Sequence, residues 1–535
     1  MKKDILKNTA LMFCGMLLLG GCGADKTEQT PPAEVETVQS TQNETQESQT
    51  TISSVENVTE NQDVDGVAGE VADNAVPTIA VTQDKKRWYT DDNEVLLLEA
   101  EASKVEVLGD GFDALKDSLA AQWNGLGDNY DEVLEWAKDH YESIEKGEDS
   151  YFTNYAVTQN VGVYRIDDHV ISLCESEYQY TGGAHGIYGN YGRTFDVKSG
   201  KELQLEDLLS DSEGFYDKVV DYIIDNLEKN YGEELFPEYE ETVRTDTFGE
   251  TPVSWYLDDT GIVIDYALYM IAPYVAGMPS VTLPYEEFAA YIKEDYISPR
   301  SSLIVKVSEN EDFSRMIGEN GKVMLETVWN EEYGASEVTV VSGNASEEVG
   351  SFAQFEGAYA IKREDGRSFL IFVCDYASDD FVTYVYEVTG GNVQKCDELN
   401  GASLGDSYSG DFCIGTDRIG LSMHLDVLGT YSGFMPYLLT EDGKLTQTED
   451  IFAIDTFYEL AVIKELPVTL EGEETTIPSG SKIKITGTDN AGNACFLLDT
   501  GETGVIKYVR DNEQWQLLID GVSENAYFDM VPYAG

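Results

Sequence analysis

The chain has 535 residues, enough for several domains, and carries 101 acidic against 34 basic residues, a formal net charge of −67. That balance excludes nucleic acid as a partner, because a phosphate backbone is held by Lys and Arg. Hydrophobic residues make up 42% and aromatic residues 11%, so most of the chain can bury a core beneath an acidic surface that steers cationic partners toward it.

In chain order, Lys2, Lys3 and Lys7 come first, then an apolar run from Ala10 to Leu19, then Gly20, Gly21 and Cys22. A basic start, a short apolar run and small residues at a cut site describe an export signal, too short to span a membrane. Leu19-Gly-Gly-Cys22 resembles the lipobox of bacterial lipoproteins. The resemblance implies that 1–22 is a lipoprotein signal, that Cys22 is lipidated, and that the mature protein is tethered to the outside of the cell membrane. Residues 23–84 contain no aromatic residue and a single base, Lys26, which predicts a disordered acidic stalk with order beginning near Trp88. Five cysteines come after Cys22, odd in number and scattered, which argues against a disulfide framework or a zinc site. Buried free thiols are expected, with one bridge among Cys374, Cys396 and Cys413 left open.

Residues 88–297 alternate strand and helix signals. Glu94 to Leu108 is apolar and β-branched enough for strands. Phe112, Leu115, Leu119 and Trp123 form one helical stripe, and Tyr130, Val133, Leu134, Ala137, Tyr141 and Ile144 a second. Ala156–Tyr164 and His169–Tyr180 read as strands joined by a polar turn, and Arg193–Val197 as a third. Tyr216 to Leu227 is a strong helix entered through Asp211 or Ser212. Trp255–Leu257 and Ile262–Met270 predict a hairpin around Asp258-Asp-Thr-Gly261. The expected class is therefore an α+β domain, helices packed on an antiparallel sheet, divided into 85–175 and 176–297. Beyond residue 300, short strands with turn signals dominate and an all-β region is expected. Residues 300–450 suit a β-sandwich or propeller-like blades, and 455–535 a small SH3-like barrel.

Two segments combine glycine, aromatic and proline residues as shaped recognition loops do: Tyr180-Thr-Gly-Gly-Ala-His-Gly186 and Ile271-Ala-Pro-Tyr-Val-Ala-Gly277. Gly182 and Gly183 are expected to supply positive φ or close approach. His185 either bonds the loop to itself or faces a ligand; it has no second metal ligand at a suitable spacing. Tyr180, Thr181, Gly182, Gly183, His185, Tyr188, Pro273 and Tyr274 are the candidate ligand-binding residues. Gly401-Ala-Ser403-Leu-Gly405 matches a nucleophile elbow by pattern, but no helix signal comes after it. No phosphate-binding loop or twelve-residue calcium loop is present, so no cofactor or catalytic residue is expected.

Glu175 to Gly186, Thr194 to Lys201, Trp255 to Tyr266, Ile271 to Gly277 and Val281 to Phe288 together resemble the extracytoplasmic domain of RsiV-type anti-sigma factors. Residues 88–175 resemble the companion non-catalytic domain also found in PdaC-type peptidoglycan deacetylases. The likeness covers about two hundred residues. It implies capture of a cationic extracellular protein, with lysozyme as the family's example. Two departures limit it. A lipoprotein signal stands where RsiV-type proteins have a sigma-binding segment and a membrane helix. PdaC-type enzymes need a His-x-x-x-His pair, and the only histidines here are His140, His169, His185 and His424. The alternatives are a lipoprotein that binds wall glycan or peptidoglycan and, with less to support it, a wall hydrolase using paired carboxylates.

Overall fold

The computed structural model describes residues 75–533, apart from 92–93, 128–129, 148–150, 250–252, 333, 378–379, 405–410, 457 and 471. The predicted export signal, Cys22 and most of the predicted stalk lie outside the described residues. Strand β1 (Thr78–Tyr89) runs antiparallel to β2 (Leu96–Leu108) along its whole length. Order thus begins before Lys85, which corrects the predicted end of the stalk at 84. The reason is local: Ile79 and Val81 are wholly buried, and Ile79–Val81 also pairs with Phe412–Ile414. Averaging composition over a long polar stretch hides so short an apolar segment.

Between β2 and β3 (Tyr155–Asp167) the chain crosses over through α1 (Asp113–Gln122) and α2 (Asp131–Glu145), so β2 and β3 run parallel. Phe112, Leu115, Leu119 and Trp123, the predicted stripe, are all buried. Strands β4 (Val170–Tyr180) and β5 (Ile187–Asp196) continue antiparallel from β3. The boundary expected at 175/176 falls inside β4.

The far edge of β3 is shared. Its first half, Tyr155–Gln159, takes β2, and its last residues, Arg165–Asp167, take β9 (Leu303–Val307). Strand β9 leads on to Gln354–Lys362, Ser368–Asp375, Phe381–Glu387 and Gln394–Asn400. The boundary expected at 297/300 is therefore crossed by a ladder of hydrogen bonds. Likewise Phe452–Ile454 pairs with Gly433 and Phe434 on one side and with Gly487 and Thr488 on the other, joining the regions expected at 300–450 and 455–535. The fold class holds nonetheless: among the described residues every α-helix lies before Ser298, and the rest of the chain is mostly strand.

This sheet is buried on both sides. Phe369 and Ile371 enter one core with Ile79, Trp123 and Val163, while Leu370, Phe372 and Cys374 enter another with Phe215, Ile223 and Tyr266. Two covered faces explain why Ser368–Cys374 reads as an unbroken apolar run rather than an alternation. The second core is closed by α3 (Ser212–Tyr231), α4 (Tyr239–Asp246) and a three-stranded sheet, β6 (Ser254–Leu257), β7 (Gly261–Asp265) and β8 (Ser280–Pro284). The Asp211 carboxylate caps α3 by accepting from Gly214 N at 3.0 Å. Strand β6 lies against β5 at Gly192, where a Cβ would stand 2.0 Å from the Trp255 carbonyl oxygen. Glycine permits that approach.

Candidate binding site

The β4–β5 hairpin places the glycine–histidine loop. Gln179 faces Ile187 and Tyr178 faces Tyr188, leaving Tyr180–Gly186 as the connection. Gly182 (φ +87°) and Gly183 (φ +98°) take the positive φ expected of them. The Tyr180 hydroxyl donates to the Gly183 carbonyl at 3.0 Å, so the loop is closed by its own side chain.

The opposite wall comes from the segment after β7. Pro273 opens a short 3₁₀ turn, Tyr274–Ala276. The Tyr274 ring lies on the His185 ring with centroids 3.9 Å apart and planes 24° from parallel. Its hydroxyl donates to the Gly186 carbonyl at 3.0 Å, and that carbonyl also lies 3.0 Å from His185 Nδ1. Tyr188 meets Tyr274 edge-on at 5.7 Å, and Tyr269 flanks it at 6.0 Å. The two loops singled out in the sequence thus meet in one surface. Loss of hydration, then the neighbouring phenols of Tyr188, Tyr178 and Tyr269, hold the Tyr274 hydroxyl above its ordinary range.

Not every candidate joins that surface. Tyr180 and Gly182 sit on the other side of the loop, where a Cβ on Gly182 would touch His140 at 3.4 Å and Tyr155 at 3.6 Å. Thr181, half-buried, makes no hydrogen bond among the described residues. Sequence reasoning missed His140 and Tyr155, which brace the loop from α2 and β3. It also missed Tyr178, Tyr269 and Val275, an exposed rim at 39%, 44% and 89%. Tyr178 was legible in principle as the cross-strand partner of Tyr188, one of the candidates, in the hairpin that closes on the glycine loop. Tyr269 carries a left-handed backbone (φ 63°), an outlier that only the structure reveals.

Three carboxylates lie nearby. Asp265 accepts from Asn190 Nδ2 at 3.3 Å, and burial raises its pKa. On the opposite face of β4, Trp123 Nε1 donates to Glu175 at 2.5 Å and Gln159 Nε2 at 2.6 Å. Burial, then the charge of Glu175, pushes Glu177 up to about 7. Among the described residues no group of three or more His, Cys, Asp or Glu side chains is arranged to hold a metal ion.

A family model described as a protein of unknown function, DUF3298, matches residues 206–286. The chain carries a DUF3298 domain. This domain spans α3 to β8 and includes Pro273 and Tyr274; the glycine–histidine loop precedes it. Two solved structures are similar to the chain. A member of the DUF3298 family from Bacteroides fragilis NCTC 9343 is 20% identical, over 41% of this chain and 95% of that one, with a TM-score of 0.31. A DUF3298 family protein from Pseudomonas aeruginosa PAO1 is 19% identical, over 42% and 97%, with a TM-score of 0.29. No curated protein matches the chain.

Proposed function

We propose that the protein is a lipid-anchored, extracytoplasmic receptor that captures a cationic protein on the surface where His185 meets Tyr274. The observation that carries this reading is the stack of those two rings, 3.9 Å apart, from two separate loops. It presents a preformed aromatic surface rimmed by Tyr178, Tyr269 and Val275, the type of anchor that dominates protein interfaces. A net charge of −67 supplies the steering that brings a basic partner to it. The RsiV resemblance adds lysozyme as the example of such a partner, and the lipobox around Cys22 adds the anchor. No catalytic role is assigned to any residue of this surface.

The test is a calorimetric titration of a soluble fragment with purified lysozyme, at low and at physiological salt. The fragment begins at Ala75 rather than Trp88, because removing Thr78–Arg87 would strip β1 from β2 and from Phe412–Ile414. Tight binding that weakens as salt rises supports the receptor reading. Absence of binding at low salt removes lysozyme as the ligand.

A further inference from the structure

Far along the chain from that surface, Trp515 stands at the end of the hairpin formed by Val509–Asp511 and Gln516–Ile519. It is 93% exposed and has a left-handed backbone, φ 50°. A fully hydrated indole contributes nothing to the core, and the left-handed region is unfavourable for a residue with a Cβ. Folding therefore does not account for either property.

The turn around it is built. Asp511 Oδ1 accepts from Glu513 N at 3.1 Å and Gln514 N at 3.2 Å, and its Oδ2 accepts from Gln516 Nε2 at 3.4 Å. Gln516 Nε2 also donates to Gln514 Oε1 at 2.9 Å, so two carboxamides are held on either side of the tryptophan in sequence. Val509, 67% exposed, lies across the ladder from Leu518 and extends the apolar part of the hairpin.

Charge decides between kinds of ligand. The hairpin, residues 509–519, carries Arg510 against Asp511 and Glu513, a net charge of −1, whereas the whole chain carries −67. Trp329, an exposed tryptophan on the strand Val323–Asn330, sits instead among Glu326, Glu331, Glu332 and Glu337. The Trp515 hairpin thus offers a basic protein only a single uncompensated surface charge, which contributes little. An indole face takes the flat C–H face of a hexose ring, and carboxamides match acetamido groups by reciprocal N–H and C=O bonding. We propose that the Trp515 hairpin is a second binding site, for an uncharged polysaccharide strand of N-acetylated hexosamines.

The experiment is a calorimetric titration of the full chain with the hexamer of β-1,4-linked N-acetylglucosamine, repeated for Trp515→Ala, Trp515→Phe and Tyr274→Ala. The wild type is expected to bind with the same affinity at low and physiological salt. Trp515→Ala should lose about tenfold or more, and Trp515→Phe, which keeps an aromatic face, less than about threefold. Tyr274→Ala should leave sugar binding unchanged, which separates this site from the receptor surface. Because Trp515 is almost wholly exposed, its replacement leaves the core intact, and an unchanged melting curve confirms that. No heat with the wild type, equal affinity in Trp515→Ala, or loss in Tyr274→Ala instead would each overturn the proposal.

Discussion

His185 and Tyr274, brought from a β-hairpin and from the connection between β7 and β8 of a separate small sheet, stack their rings 3.9 Å apart and share the Gly186 carbonyl. The stack holds both loops in one geometry before any ligand arrives, which lowers the entropy to be lost on binding. Tyr274→Ala is expected to weaken capture of a cationic partner by about tenfold or more. Tyr274→Phe keeps the stack and loses only the hydroxyl's bond to Gly186, so its affinity should fall by less than about tenfold. Calorimetry on the two variants checks the order; equal losses would show that the hydroxyl, not the ring, matters.

The loop glycines separate binding from folding. A Cβ on Gly183 meets nothing within 4 Å, although φ +98° strains any replacement. Gly183→Val should therefore leave the fold in place while displacing the loop and abolishing capture. At Gly192 a Cβ would lie 2.0 Å from the Trp255 carbonyl, with backbone on the far side and no room to yield. Gly192→Ala should destabilise the domain by about 1–3 kcal/mol or more. Thermal unfolding of both variants reads the difference, and a more stable Gly192→Ala than Gly183→Val would falsify the assignment.

Arg165 and Asp167 form an ion pair with both side chains wholly buried, joined through Nε at 3.0 Å and Nη2 at 2.6 Å. The guanidinium also donates to the Tyr296 carbonyl and the Tyr285 hydroxyl, tying β3 to the segment that closes the second core. Asp167→Ala leaves that charge without its partner and should cost about 3–5 kcal/mol. Replacing both residues together with apolar ones of similar size should recover much of the loss. Chemical denaturation of the single and double variants measures it.

Stability should also fall with rising pH. Glu177 is raised from 4.5 to about 7 by burial and by Glu175, with Tyr130, Tyr191 and the opposing charge of Arg193 facing it. Asp259 is raised from 3.8 to about 8 by burial and Asp258. An acid with a raised pKa holds its proton more tightly in the folded state. The resulting stability is fully present below the unfolded value and is lost as pH climbs through the folded one. The melting temperature is therefore expected to decline between about pH 5 and about pH 8. Glu177→Gln should flatten that slope, and an unaltered profile would remove Glu177 as its source.

The sequence was informative where signals are local. Periodicity revealed α1 and α3, whose apolar stripes each face one core, and a polar turn marked the β3–β4 hairpin. Glycine, aromatic and proline chemistry marked both loops of the surface, because such segments must take a demanded shape. Non-local pairing left no such trace. Nothing in Ile79-Ala-Val81 announces Phe412–Ile414, and nothing in Arg165–Asp167 announces β9. For the same reason His140 read only as one position of a helix, since its contact with Gly182 depends on how α2 lies over the sheet.

The seam between β1 and Phe412–Ile414 also sets a timetable. Gln83 N donates to Asp411 Oδ1 at 2.8 Å, a bond closed across 328 residues of chain. At about 5–20 residues per second, synthesis of that interval takes roughly 15 s to 1 min. Throughout that wait the first strand to emerge has β2 on one side and an open edge on the other, a template for strangers. Until its own distant strand arrives, that edge can be satisfied only by water or by another chain.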